Sequence, residues 1–152
     1  MMRTLSVVVL GMMMAGVSVT WAAEHVIVEP NDLQWVDVPS LPPGAKMAII
    51  EGPLDKEGPF IARFTFPGDF KIPAHWHPNI EHITVLSGSF NLGVGDKLDA
   101  TKTHAIAAGG VGIMPPKTNH FVWTKEETIV QVHGVGPWGI TYVDPADDPR
   151  KK

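Results

Sequence analysis

Cysteine is absent from the 152 residues, so no disulfide braces this chain and no thiolate can enter a metal site. Basic residues are outnumbered, 12 against 16 acidic ones for a formal net charge of −4. No basic stripe runs along the chain, and nothing in this balance points to nucleic acid as a partner. No window of a dozen residues carries an apolar stripe of helical period, no repeat recurs at a fixed spacing, and no low-complexity linker divides the chain. A chain of this length is expected to fold around one core.

One long apolar run is present, at residues 5–19, after Met1, Met2 and Arg3 and before Thr20, Trp21, Ala22 and Ala23. A charged start, an apolar middle and a small-residue end make the pattern of a secretory signal peptide. The run is shorter than the roughly 20 residues that span a bilayer, although an anchor extended at its ends is the alternative. Cutting after Ala22 leaves Thr20 at the −3 position, whereas cutting after Ala23 leaves the bulky Trp21 there, so residues 1–22 are read as the leader. No twin arginine precedes the run, so export threads an unfolded chain and any metal is acquired afterwards. The expected location is periplasmic or secreted, with no stable membrane anchor after cleavage. Loss of Arg3 takes the net charge to −5.

Residues 23–46 hold Pro30, Pro39, Pro42 and Pro43, which prevent a long helix and predict an extended N-terminal arm. Residues 47–143 read as an all-β domain. Strand-length runs at 47–50, 60–66, 83–86, 90–94, 111–114, 120–123, 128–133 and 140–143 are separated by turn signals such as Pro67-Gly68-Asp69, Ser87-Gly88-Ser89 and Pro115-Pro116. Phe60, Ala62, Phe64 and Phe66 alternate with Ile61, Arg63 and Thr65, the period of two of a strand in a layered structure. Many short strands at this spacing predict a β-sandwich or barrel. Residues 144–152 form a charged tail with Pro145 and Pro149.

The stretch His75-Trp76-His77-Pro78-Asn79-Ile80-Glu81-His82 carries the chemistry. Strand residues two apart share a face, so His75 and His77 present two imidazoles that one metal ion can bridge. Pro78 ends regular pairing, and Glu81 returns at the start of the next strand as a carboxylate ligand. His120 is the natural fourth ligand, because it follows the turn at 115–119 and begins a strand able to lie beside the first.

These residues resemble the two motifs of the cupin superfamily. Gly68, His75, His77, Glu81 and Gly88 fill the first motif, with six residues between Gly68 and His75 where five is usual. Gly109, Pro115 and His120 fill the second, with Lys117 where glycine is common and Thr124 where asparagine is common. The resemblance implies a small RmlC-like jelly-roll barrel, a double-stranded β-helix of six to eight strands with a metal inside. It also implies a range of activities, among them dioxygenase, isomerase, decarboxylase and lyase chemistry.

Three imidazoles and a carboxylate leave two positions open on an octahedral ion and suit Mn, Fe, Ni, Cu, Co or Zn better than Ca or Mg. His82 is out of phase with Glu81 and is read as structural or supporting. His133 shares a strand face with Gln131, opposite Val130 and Val132. If that face points into the barrel, His133 is a candidate general base or substrate-orienting group; otherwise it meets solvent. His104, beside Thr101-Lys102-Thr103, is read as a surface loop residue. Trp76 and Phe121 neighbour ligands and should face outward, while Phe64 or Phe66 is a better pocket wall.

Two functions remain open from the residues, and a third, a storage-like or structural barrel without bound metal, is opposed by the presence of all four ligands. One is a metal-dependent enzyme acting on a small organic molecule; the other is a module that binds a metal or small ligand without turnover. An enzyme needs open metal positions facing a pocket, whereas a sequestering site should be closed. Edge strands or the arm also make a homodimer a reasonable expectation.

Overall fold

The computed structural model describes residues 25–152. The expected leader, residues 1–22, and its cleavage point lie outside the described residues. No helix among the described residues is long and apolar enough to cross a membrane.

Among the described residues eleven short strands carry the fold: β1 (Val36–Asp37), β2 (Lys46–Glu51), β3 (Gly58–Phe66), β4 (Lys71–Trp76), β5 (Glu81–Ser87) and β6 (Ser89–Val94). They are followed by β7 (His104–Ala107), β8 (Val111–Met114), β9 (His120–Trp123), β10 (Thr128–Gly136) and β11 (Thr141–Tyr142). All pairings are antiparallel. They build a six-stranded sheet ordered β1-β2-β3-β10-β5-β8 and a five-stranded sheet ordered β11-β4-β9-β6-β7. The two inner faces enclose the core of a jelly-roll barrel.

Alternation decides which residues enter that core. Phe60, Ala62, Phe64 and Phe66 of β3 are buried while Ile61, Arg63 and Thr65 are half-buried on the other face. In β10 Thr128, Val130, Val132 and Gly136 are buried. Phe66 stacks on Phe70 at 5.3 Å between ring centroids and meets Phe90 at 6.0 Å, so one aromatic cluster spans both sheets.

Three elements depart from the sequence reading. The residues called an extended arm fold back, with Val36 and Asp37 pairing to Met47 and Lys46, and Leu41 and Ala45 buried. Their apolar side chains gain by covering an open end of the barrel, which a free arm would forgo. His104 opens strand β7, opposite Leu92, although it is exposed as expected. The run at 140–143 pairs only over Thr141 and Tyr142.

Gly88 is a requirement of the β5–β6 hairpin. Its φ is +74°, and a Cβ there would sit 2.5 Å from the Glu127 carbonyl oxygen. We expect Gly88→Ala to cost about 2 kcal/mol or more through left-handed backbone and a clash with main chain. A denaturant melt at unchanged slope would record it; a midpoint equal to wild type would mean that the hairpin yields.

Candidate metal centre

His75 lies near the end of β4, where β4 and β9 shift register between Ile72 and His75. Ile72 and His75 both line the interior although they are three residues apart. The extra residue of the irregularity lets them share a face, and Pro73, with no amide to donate, sits within it. Across the ladder His75 is the direct partner of His120, and their rings are 4.1 Å apart. His77 follows one residue beyond β4, where its carbonyl accepts the Lys117 amide at 2.8 Å. Lys117 adopts φ +59° to close that turn, so lysine performs the left-handed role for which glycine is the easier residue. Glu81 opens β5 in the opposite sheet.

The four side chains meet inside the barrel, none more than 5 % exposed. One ring nitrogen each from His75, His77 and His120 falls within 4.8 Å of the others. Glu81 faces them, with Oε1 3.5 Å from His77 Nε2 and Oε2 3.4 Å from His120 Nε2.

The outer nitrogens are all engaged. The Nδ1 atoms of His75, His77 and His120 lie 2.8, 2.7 and 2.8 Å from the carbonyl oxygens of Pro73, Gly139 and Thr118. A carbonyl only accepts, so each Nδ1 carries a proton, and Nε2 is the nitrogen left for a metal. This backbone bracing fixes both tautomer and ring orientation, as the outer partners of metal-bound histidines do. Glu81 Oε2 is buried with no hydrogen-bond partner, a costly state that a cation would relieve. Three imidazole nitrogens, one carboxylate and no sulfur fit a divalent transition ion.

Electrostatics agree with that donor set. Burial holds His75 well below the usual imidazole range, and the neighbouring His120 and His77 add to the effect. Burial also lowers His77, against the pull of Glu81. For Glu81, burial works to raise the pKa, but His77 and His120 outweigh it and the net shift is downward. The directions for His75 and His77 favour the neutral ring and that for Glu81 the ionised carboxylate, the forms in which these side chains bind a metal.

A pH dependence follows. Above about pH 6.5, the unfolded imidazole value, His75 and His77 are neutral in both states and stability is full. As pH falls from there, the unfolded chain binds protons that the folded chain refuses, so stability declines through the lowered folded values. Thermal melts of metal-free protein should show Tm falling between about pH 7 and pH 5. A flat or rising Tm would contradict the burial argument.

The four residues line a cavity of about 150 Å³. Its walls are Phe64, Phe66, Ile83, Val122, Val130 and Val132 among others, and Val38, Ser40, Leu41, Trp138 and Ile140 also line it. The Trp138 indole stacks on His77 at 4.4 Å and 15°.

A model of the family described as "Cupin domain" matches residues 63–135. Residues 63–135 are a cupin domain. No curated protein matches this cupin in sequence. Among solved structures it is similar to the polyketide cyclase RemF from Streptomyces resistomycificus, at 19 % identity over 84 % of this chain and 92 % of that one, with a TM-score of 0.68. It is also similar to a candidate acetylacetone dioxygenase from Methylibium petroleiphilum PM1, at 17 % identity over 86 % and 89 % of the two chains, with a TM-score of 0.63. An RmlC-like cupin from Shewanella frigidimarina NCIMB 400 matches at 15 % identity over 74 % and 91 %, with a TM-score of 0.59. At these identities the likeness concerns the fold.

The cupin fold does not bring every sequence candidate to the centre. His133 points out of the barrel, where its ring stacks on His82 at 4.9 Å and 13°. Ile61, His133, His82 and Ile113 lie in register across four strands of that outer face. The reason is alternation: Val130 and Val132 gain more from burial than Gln131 and His133, so the polar pair is turned outward. His133 is thus remote from a general-base position, and His82 supports the sheet beside it. Thr124 is buried and donates from Oγ1 to the Pro67 carbonyl at 2.7 Å, a contact that closes a loop and does not touch the ligands.

Phe121 is buried beneath Gly93, where a Cβ would come within 2.2 Å of its ring, and is not among the cavity walls. Trp76 is half-buried and also outside those walls, as alternation predicts. Sequence reasoning missed Trp138, the Gly139 carbonyl and the arm residues Val38, Ser40 and Leu41. All lie in segments without strand period, and the only signal available was an aromatic residue just after the turn at 134–137.

Proposed function

We propose that this cupin is an exported protein that holds one divalent transition-metal ion through His75, His77, Glu81 and His120 and acts on a small organic molecule, as a metal-dependent dioxygenase, isomerase or lyase. The observation that carries the reading is the set of three imidazoles with Nδ1 bonded to backbone, beside a Glu81 oxygen without a hydrogen-bond partner, in the lining of one cavity. A cavity on the ligand side is what turnover requires and what a sequestering site lacks. A divalent ion bound there supplies Lewis-acid polarisation of an oxygen atom.

The chain's own residues set the conditions for that chemistry. Glu81 brings one negative charge to the centre and the neutral histidines bring none, so the loaded site keeps room for one further anionic oxygen. Apolar walls exclude water from the reacting end and strengthen each electrostatic contact there. Trp138 and the Gly139 carbonyl hold the His77 ring from two sides.

The test is turnover by the metal-loaded protein. Small carbonyl and phenolic compounds are incubated with wild type and Glu81→Gln, their disappearance is followed by NMR, and dissolved oxygen is recorded in parallel. Consumption by wild type and a loss of about 100-fold or more in the variant is the expected result. Binding without consumption of any compound would move this cupin to the non-catalytic reading.

Export is supported by the pattern of residues 1–22, and N-terminal sequencing of protein recovered from outside the cytoplasm, beginning at Ala23, tests it. A homodimer is supported by the apolar exposure of the edge strand β8, where Val111 and Ile113 are 58 % and 53 % exposed. A mass of one chain by light scattering would rule the dimer out.

A further inference from the structure

The metal reading leaves the substrate unspecified, but the cavity has a composition of its own. Its polar lining is the cluster of His75, His77, Glu81 and His120, with Ser40 of the arm and Trp138, whose indole N–H is buried without a hydrogen-bond partner. Along the rest run aromatic and aliphatic walls, chiefly Phe64, Phe66, Ile83, Val130 and Val132. No lysine, arginine, asparagine, glutamine or threonine lines it among the described residues.

We infer that the substrate of this centre is a compact molecule of about six to eight non-hydrogen atoms, hydrocarbon over most of its surface, with its oxygen atoms gathered at one end. The inference rests on the proposed metal for where those oxygens go; the selection for a hydrocarbon body rests on the walls alone.

Size comes first. The cavity measures about 150 Å³, and an engineered apolar cavity of that volume in another protein accepts benzene. Larger rings and nucleotides would extend beyond it. Polarity comes next. A sugar or polyol of the same size would bury several hydroxyls against carbon, and each one left unpaired weakens binding about tenfold or more.

Charge completes the selection. Three imidazole nitrogens and one carboxylate around a divalent ion would leave the loaded centre at one positive charge, enough for one ionised oxygen on the metal. A second anionic group, such as a phosphate or a distal carboxylate, would lie against phenylalanine and valine with no cation beside it. Arg63, the basic residue of β3, is on the outer side of its sheet and bonds Gln131. Phenols, enols and small ketones therefore fit, whereas sugar acids, polyols and phosphate esters do not.

The experiment compares four probes on metal-free and metal-loaded protein by calorimetric titration: benzene, phenol, glycerol and inorganic phosphate. Benzene and glycerol have the same number of non-hydrogen atoms, so the pair separates polarity from size. Benzene and phenol are expected to bind the metal-free chain at least tenfold more tightly than glycerol or phosphate. Metal loading should favour phenol over benzene by a further tenfold.

Val130→Leu and Val132→Leu, which add bulk to the wall without touching a ligand, should weaken benzene binding about tenfold while metal stoichiometry stays at the wild-type value. Two variants on one wall guard against a single misfolded protein. Benzene bound by a chain that takes up no metal would defeat the metal reading and uphold the apolar selection. Metal taken up normally while glycerol or phosphate binds as tightly as benzene, or while benzene does not bind, would overturn this inference alone.

Discussion

His77→Ala and His120→Ala each abolish metal retention: affinity falls at least about 100-fold, and protein recovered after dialysis carries less than a tenth of an ion per chain. Losing a ligand does more than losing the outer hydrogen bond that steers one, which by itself costs about 10- to 100-fold. His120 is the more telling of the two. It stands on β9 directly across from His75, and its Nε2 approaches Glu81 at 3.4 Å, so its removal takes a nitrogen donor from between two other ligands. The apo-protein should survive the change. Alanine there takes away a ring that lines the cavity, and circular dichroism should report an intact β spectrum. Elemental analysis makes the measurement, and full occupancy in either variant would remove that residue from the site.

Phe66→Ala destabilises the barrel by about 3–5 kcal/mol. Phe66 is 3 % exposed and touches Phe64, Phe70 and Phe90, so its ring joins the two sheets. Its deletion leaves a void that neighbours anchored in both sheets can only partly fill, which is why the upper part of the range is expected. In a domain of this size the loss lowers Tm by roughly 10–20 °C. The ring also lines the cavity, so the variant that remains folded at low temperature should accept larger probes than benzene. A change in Tm of only a few degrees would mean that the aromatic cluster is not the core of the barrel.

Much of the centre was legible because metal chemistry imposes spacing on sequence. His75, His77, Glu81 and His120 are recognisable by residue type and interval, and the structure brings the four together. The sheets were legible wherever one face is aliphatic or aromatic, as in Phe60, Ala62, Phe64 and Phe66. What alternation alone leaves open is which face turns inward. Gln131 and His133 were correctly grouped, but only the competing burial of Val130 and Val132 decides that they face out.

Two further features depend on contacts distant in the chain. Ile72 and His75 share the interior through a register shift against β9, a property of the pair of strands that neither strand carries alone. Trp138 and Gly139 reach His77 from a loop 60 residues downstream with no regular period, so their role appears only once β4 and β11 are side by side. Likewise the arm reads as extended because its prolines forbid helix. Its use as an edge strand and cavity wall is set by the open end of the barrel it covers.

The most direct test of the metal assignment is anomalous diffraction at the zinc edge from crystals of zinc-loaded protein. The account predicts one strong peak per chain among His75 Nε2, His77 Nε2, His120 Nε2 and a Glu81 oxygen, about 2.0–2.2 Å from each. A map with no peak there, or with its only peak on surface carboxylates or on the outward pair His82 and His133, would contradict it.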